Sequence, residues 1–349
     1  MAQFNLRQFL QDVFAPQPDE KVAVLTDMPH GTIADNPKWK ERRQMADEWA
    51  TAMASLTGSV YGLPYDATGA HNADLPPTIA DKLADYSLVL ALTEFSATAP
   101  LSLHAKQRPG QFRAASMPGI ERRMEQSGLA ADYQDIQRRC AILQPIMQAA
   151  KTCEVDFDTG DHISFDLSAN TPGTNVAKSD DGYLHPDTKK PVANLPAGEA
   201  YQTPNEEPGS DTVGIIPIFW KGHQAQLQVV ENRITNACGC GPIDHELTEY
   251  FTSDPARGNI AECAFGCNPM AIVTGTILED EKAGFHFAWG RSDHLGGLFG
   301  VDDFQSPSHV VHQDIVYAKG NPIQVRRATL IDAKGRETVV INDGEYVIF

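Results

Sequence analysis

The sequence predicts an α/β N-terminal domain built on a parallel sheet, followed by a mixed α+β C-terminal domain. Three observations predict this. Apolar, β-rich runs and helical stripes alternate over the first 150 residues. After Lys151 the pattern changes to short alternating strands with turn signals between them. The length, 349 residues, suits roughly two domains. The boundary is expected near residue 151, giving domains 1–150 and 151–349.

The N-terminal elements follow from periodicity. KVAVLT (21–26) is a short apolar run and reads as the first strand. Over 37–57, Trp39, Met45, Trp49, Met53 and Leu56 recur at helical spacing, and one face of a helix is expected. A second strand is expected over 59–65 and a helix over 77–84. YSLVLALT (86–93) is almost continuously apolar, as a strand buried on both faces would be. FRAASM (112–117) reads as a further strand. A long helix is expected over 120–151, through Met124, Leu129, Ile136, Leu143 and Met147. Beyond it, Asp158-Thr159-Gly160-Asp161 lies between two alternating stretches and predicts a β-hairpin. A polar stretch fills 169–212, and mostly short strands follow, with one helix near 244–253.

Composition narrows the function. Lys and Arg number 28 against 46 Asp and Glu, a formal net charge of −18. Such a surface repels phosphate backbones, so no nucleic-acid partner is expected. Six cysteines are too few for a disulfide scaffold. The N-terminus has no continuous apolar stretch, so no secretory signal is expected. The longest apolar runs are about five residues, far short of the roughly 20 that span a bilayer. A cytoplasmic protein with no membrane partner is expected.

Several familiar motifs are missing. There is no GxGxxG, no GxxxxGK[ST] and no G-x-S-x-G. His245 to Glu249 imitates the start of HExxH but lacks the second histidine, and an exposed helix face is expected there. Cys238, Cys240, Cys263 and Cys267 lack the paired CxxC spacing of zinc ribbons and read as ordinary core thiols.

The informative pattern is a set of carboxylates and histidines between 196 and 314. Glu199 ends Pro196-Ala-Gly-Glu199. Glu262 precedes CAFGCNP. Glu281 closes Leu278-Glu-Asp-Glu281 and comes five residues before His286. His312-Gln-Asp314 opens an apolar strand. Alternation puts His312 and Asp314 on one face, and turns His286 away from Phe285 and Phe287. Taken alone, the acidic triplet 279–281 reads as an exposed turn, and no single one of these residues indicates a ligand. Together they point to a metal site. Four converging carboxylates are costly to bury unpaired, and two divalent cations cancel their charge. Two neutral histidines add ligands suited to Zn, Co, Mn or Fe.

These segments resemble the M29 family of metallopeptidases, of the aminopeptidase T type. The matching stretches are PAGE (196–199), AECAFGCNP (261–269), LEDEKAGFHFAWG (278–290) and HQD (312–314). The resemblance covers about 191–317; only the α/β character agrees in the N-terminal third. It implies Glu199, Glu262, Glu281, His286, His312 and Asp314 as metal ligands, two divalent ions (Zn, Co or Mn) and a homodimer. It also implies hydrolysis at peptide N-termini, with Glu262 as bridging ligand or general base. The family tyrosine expected just after the histidine stretch is missing; Arg291-Ser-Asp293-His294 stands there, and His294 or Arg291 is the candidate replacement donor. The sequence is also similar to 2,5-dihydroxypyridine 5,6-dioxygenases, which carry a like Trp-Gly pair, here Trp289-Gly290. That likeness implies a single Fe(II) on His286, His312 and Asp314. A non-enzymatic binding protein on the same scaffold is the third reading. The substrate is expected to be a small peptide or other small molecule, and the glycine-rich HLGGLFG (294–300) is expected to act as a mobile lid.

Overall fold

The computed structural model describes residues 4–168, 174–239, 241 and 243–349. The chain forms two compact units. One comprises Met1–Gln137 with 180–198 and 268–282; the other takes 138–179, 199–267 and 283–349. The division is therefore not the single cut expected at 150/151. Two later segments return to the first unit because each completes something there, as described below.

The first unit is a five-stranded parallel sheet with helices. Its strands are β1 (Val22–Met28), β2 (Val60–Asp66), β3 (Leu88–Ala91), β4 (Arg113–Ser116) and an edge strand, Val192–Asn194, in the spatial order β2-β1-β3-β4-edge strand. The edge strand comes from the returning segment 180–198 and pairs with β4. Segment 268–282 supplies Glu279, fully buried, which pairs with Arg123 and accepts from the Gly128 amide at 2.8 Å. The acidic triplet is thus a buried helical turn, Ile277–Asp280, rather than an exposed one. Asp280 holds the preceding loop by accepting from the Thr274 and Gly275 amides, each at 2.8 Å.

Helix α1 spans Leu6–Phe14 and α2 spans Pro37–Thr57. Asn36 caps α2 by accepting from the Trp39 amide, Pro37 fits its first turn, and Gly58 ends it in the left-handed region (φ 75°). The expected stripe is the buried one: Trp39, Met45, Trp49 and Met53. The expected 77–84 helix is one turn of α-helix, α3 (Pro77–Ala80), then a 3₁₀ turn; α4 (Thr98–Gln107) was not expected. The helix expected from residue 120 begins at Tyr133 instead, as α5 (Tyr133–Ala149). Before it, Met124 and Leu129 are buried on two 3₁₀ turns broken at Ser127 (φ −132°, ψ −116°).

The second unit stacks two antiparallel sheets. The larger has eight strands in the order β12-β11-β10-β6-β5-β16-β17-β18. Here β5 is Ala150–Phe157, β6 His162–Asp166, β10 Val213–Trp220, β11 His223–Val230 and β12 Arg233–Cys238. The last three are β16 (Val325–Asp332), β17 (Glu337–Asn342) and β18 (Glu345–Tyr346). The expected hairpin is β5–β6. The smaller sheet runs β15-β14-β13-β9-β7. Its strands are β7 (Lys178–Asp180), β9 (Glu199–Gln202), β13 (Ile260–Gly266), β14 (Phe285–Gly290) and β15 (His312–Tyr317); β8 is the Val192–Asn194 strand of the first unit. Helix α6 (Ile243–Ser253) matches the expected one near 244–253.

One core joins the two sheets. Phe265, Phe285, Phe287, Trp289 and Tyr317 from the smaller sheet pack with Phe157, Phe165, Ile216, Ile218 and Leu227 from the larger. The Tyr317 hydroxyl donates to the Pro217 carbonyl at 2.7 Å. The smaller sheet thus turns one face to the core and the other away from it.

Candidate metal centre

Strand register collects the polar residues on that other face. Along β13, Glu262, Ala264 and Gly266 alternate with Ala261, Cys263 and Phe265. Ala264 pairs with Tyr201 on β9 and with His286 on β14, and Gly266 pairs with Glu199. Glu262 pairs with Ala288, which in turn pairs with Asp314, and Gly290 pairs with His312. Cross-strand partners share a face. Glu199, Glu262, His286, His312 and Asp314 therefore all emerge from one side of one sheet. Between them lie Ala264, Gly266, Ala288 and Gly290, small residues that are themselves buried. A register irregularity between Ile260 and Glu262 sits just before the central carboxylate, where a bulge can re-aim a side chain.

The donor atoms converge. His286 Nε2 lies 3.5 Å from Glu199 Oε2 and 3.9 Å from Glu262 Oε1. His312 Nε2 lies 3.2 Å from Glu262 Oε2 and 3.4 Å from Asp314 Oδ1. Glu262 stands in the middle, one oxygen toward each imidazole. Two donors each about 2.1 Å from a shared ion are separated by roughly 3.0–3.4 Å in octahedral or tetrahedral geometry. The spacings around His312 lie in that range, and one donor atom each from Glu262, His312 and Asp314 lie within 4.8 Å of one another, so these three residues fit a divalent ion; the 3.5 and 3.9 Å spacings around His286 are longer.

The second set of hydrogen bonds fixes both rings. His312 Nδ1 lies 2.7 Å from the Arg291 carbonyl, and His286 Nδ1 lies 3.2 Å from the Gly284 carbonyl. A carbonyl can only accept, so each Nδ1 carries the proton. In the neutral tautomer each Nε2 then offers a lone pair toward the carboxylates, the arrangement found around metal-binding histidines. The carboxylates also act on His312. Burial opposes its charged form, but Asp314 and Glu262 outweigh burial and hold its pKa well above the usual value. Three carboxylates around two imidazoles attract positive charge, whether a proton or a metal ion supplies it.

Three expected residues remain. Glu281 lies in the first unit, just beyond the Ile277–Asp280 turn, and pairs with the buried Lys282. His294 is on the loop after β14, and its ring meets the His312 ring edge-on with centroids 4.7 Å apart. Burial first, then His312 and Arg291, push the His294 pKa down to about 3. With 38% of that side chain exposed, solvent screens part of the push, and the ring is neutral at pH 7. Arg291 pairs with Asp293 at 2.5 Å. His245 and Glu249 are exposed on α6, as expected. Cys263 and Cys267 are buried; Cys240 lies outside the described residues. Sequence reasoning missed Tyr201, half-buried on the ligand-bearing face in the same cross-strand row as His286. Its position two residues after Glu199, on the same face, was the available signal. It also missed Glu206, buried against the loop after β14.

No protein-family model matches the chain, and no curated protein matches it. Among the solved structures that match, two do so along almost their full length. One is the 2,5-dihydroxypyridine dioxygenase of Pseudomonas putida KT2440, at 17% identity and TM-score 0.67, covering 99% of this chain and 98% of that one. The other is wild-type AmpT from Thermus thermophilus, at 14% identity and TM-score 0.58, covering 98% and 99%. The chain shares their fold. Both kinds of protein that the sequence motifs resemble are therefore structural neighbours of it. Among the described residues no helix is long and apolar enough to cross a membrane.

Proposed function

We propose that this protein is a metal-dependent hydrolase that removes N-terminal residues from small peptides, using two divalent ions of the Zn, Co or Mn type. One observation carries the reading. The two oxygens of Glu262 address two different imidazoles, at 3.9 and 3.2 Å, as a carboxylate shared between two ions would. Glu199 and His286 would hold one ion and His312 and Asp314 the other. Glu281 is a sixth candidate on the strength of the sequence resemblance alone. Bound ions would supply Lewis acidity toward a substrate carbonyl and ease deprotonation of a water.

The chain's own groups do the rest. The Nδ1–H bonds to the Arg291 and Gly284 carbonyls keep both rings oriented without a substrate. The neutral His294 ring, beside His312, is the donor or acceptor nearest the position of the missing tyrosine. On this reading the protein works as a cytoplasmic homodimer, which sedimentation velocity checks for its dimeric part. The deciding experiment is metal-to-chain stoichiometry of the purified protein, paired with hydrolysis of an aminoacyl anilide under Co, Zn or Mn. Two ions and turnover support the proposal; one ion and no turnover overturn it.

A second reading has its own support: a mononuclear Fe(II) ring-cleaving dioxygenase on His286, His312 and Asp314. The residues 291–294 contain no tyrosine, and the dioxygenase neighbour has the higher of the two TM-scores, 0.67 against 0.58. It expects oxygen uptake with a dihydroxypyridine under Fe(II), and metal content that survives Glu199→Gln.

A further inference from the structure

The loop after β14 is built around a buried carboxylate that belongs to another segment. Glu206, four residues past β9, is 4% exposed. Its Oε1 accepts from the Ser292 hydroxyl and from Asn259 Nδ2, each at 2.5 Å, and its Oε2 accepts from the Leu298 amide. The Asn259 amide also donates to the Gly290 carbonyl at 2.9 Å. Arg233 donates to the Glu206 carbonyl at 3.2 Å and lays its guanidinium 4.4 Å from the centre of the Phe299 ring. The loop closes on itself around this point. The Ser292 and Asp293 amides both donate to the Phe299 carbonyl, at 2.9 and 3.0 Å, and the Phe299 amide donates to Ser292 Oγ at 3.1 Å.

The loop glycines follow from this packing rather than from a need to move. A Cβ on Gly297 would lie 2.3 Å from Ser292 Oγ and 2.6 Å from Glu206 Oε2, and Gly296 has φ 98°. The expectation of a mobile lid over 294–300 is thus replaced by a fastened loop, held a second time where Lys178 Nζ donates to the Leu295 carbonyl at 2.5 Å.

This loop brings two groups to the candidate metal centre. Next to Ser292, the Arg291 carbonyl accepts the Nδ1–H of His312 at 2.7 Å. Two residues beyond Ser292, His294 meets the His312 ring. We infer that Glu206 is the positioning residue of this centre: by gripping Ser292 and Leu298 it sets the Arg291 carbonyl and His294, and through them the orientation of His312. It touches none of the five candidate ligands itself in the contacts described. The inference rests on those five residues binding metal, but not on which reaction they serve. Partners one step behind a metal ligand are typically worth 10–100-fold in metal affinity.

The test uses the full chain and Zn²⁺ or Co²⁺ alone. Calorimetric affinity is measured for the wild type, Glu206→Ala, Glu206→Gln, Ser292→Ala and Gly297→Ala, with hydrogen exchange at the Leu298 and Phe299 amides and a thermal melt for each. Glu206→Ala is expected to weaken one ion by about 10–100-fold. Glu206→Gln keeps one accepting oxygen and an amide that can donate to Ser292 Oγ, so it falls between Ala and wild type. Ser292→Ala removes one of the three donors and gives a smaller loss. Gly297→Ala deletes no partner but forces Glu206 and Ser292 apart, so it gives the same loss by another route and decides the matter if Glu206→Ala does not fold. In each weakened variant the two amides exchange faster. Wild-type affinity in a folded Glu206→Ala or Gly297→Ala overturns the inference and leaves the metal reading standing. A wild type that takes up neither ion overturns both.

Discussion

Glu262 is where a single side chain divides the two functional readings. If it joins two ions, Glu262→Gln removes one anionic bridge and leaves at most one tightly held ion per chain. Elemental analysis checks this, and an unchanged metal content would refute the bridge. His312 gives a second expectation, from proton linkage. Its pKa in the fold is raised above the unfolded value of about 6.5. In the metal-free protein its charged form therefore contributes stability in full below that unfolded value, and the contribution disappears as pH rises through the raised one. A metal ion needs the neutral ring, so its binding expels a proton. Apparent affinity should climb about tenfold per pH unit below the raised pKa and then level off. Calorimetry in buffers of different ionisation enthalpy reads the proton directly; zero release would contradict the assignment of His312 as a ligand.

At the scale of elements, the smaller sheet carries its aromatic core residues on one face and the candidate ligands on the other. Phe287, fully buried on the core face, should cost about 3–5 kcal/mol when cut to alanine. Ala264, on the ligand face, should behave differently. Ala264→Leu overpacks a buried position in the cross-strand row of His286, so metal uptake should fall sharply while chemical denaturation shows a loss of about 1–3 kcal/mol. Equal metal uptake in Ala264→Leu would mean the small-residue floor is not needed. Much of this sheet was legible in the sequence. Alternation alone turned His286 away from Phe285 and Phe287, and put His312 beside Asp314. The α2 stripe was legible in the same way. Helix α1 was overlooked although Phe9, Leu10, Val13 and Phe14 carry the helical pattern; it is short and its polar positions are mixed. The long helix expected from residue 120 failed because Met124 and Leu129 satisfy helical spacing from 3₁₀ turns. Glu206 gave no signal, because its role depends on Asn259, Ser292 and Leu298, which are distant in sequence.

For the whole molecule, the order of segments matters more than the boundary. Composition changes at residue 151, and that change marks the start of antiparallel structure. The first unit nevertheless needs 180–198 and 268–282. Without the first of these the parallel sheet loses its edge strand, and without the second Arg123 loses its partner Glu279. A fragment of residues 1–150 should therefore fail to give a cooperative thermal transition, whereas the full chain should melt cooperatively. A sharp two-state melt of that fragment by circular dichroism would refute the three-segment unit.

The same interleaving has a consequence for biosynthesis. When Gln137 leaves the ribosome, roughly 145 further residues must still be made before Lys282 arrives, on the order of 7–30 s at ordinary elongation rates. The first unit is begun early yet finished late: its sheet edge stays open until Asn194 is made, about 57 residues after Gln137, and Arg123 waits longer still for Glu279, the period in which chaperone capture would matter most.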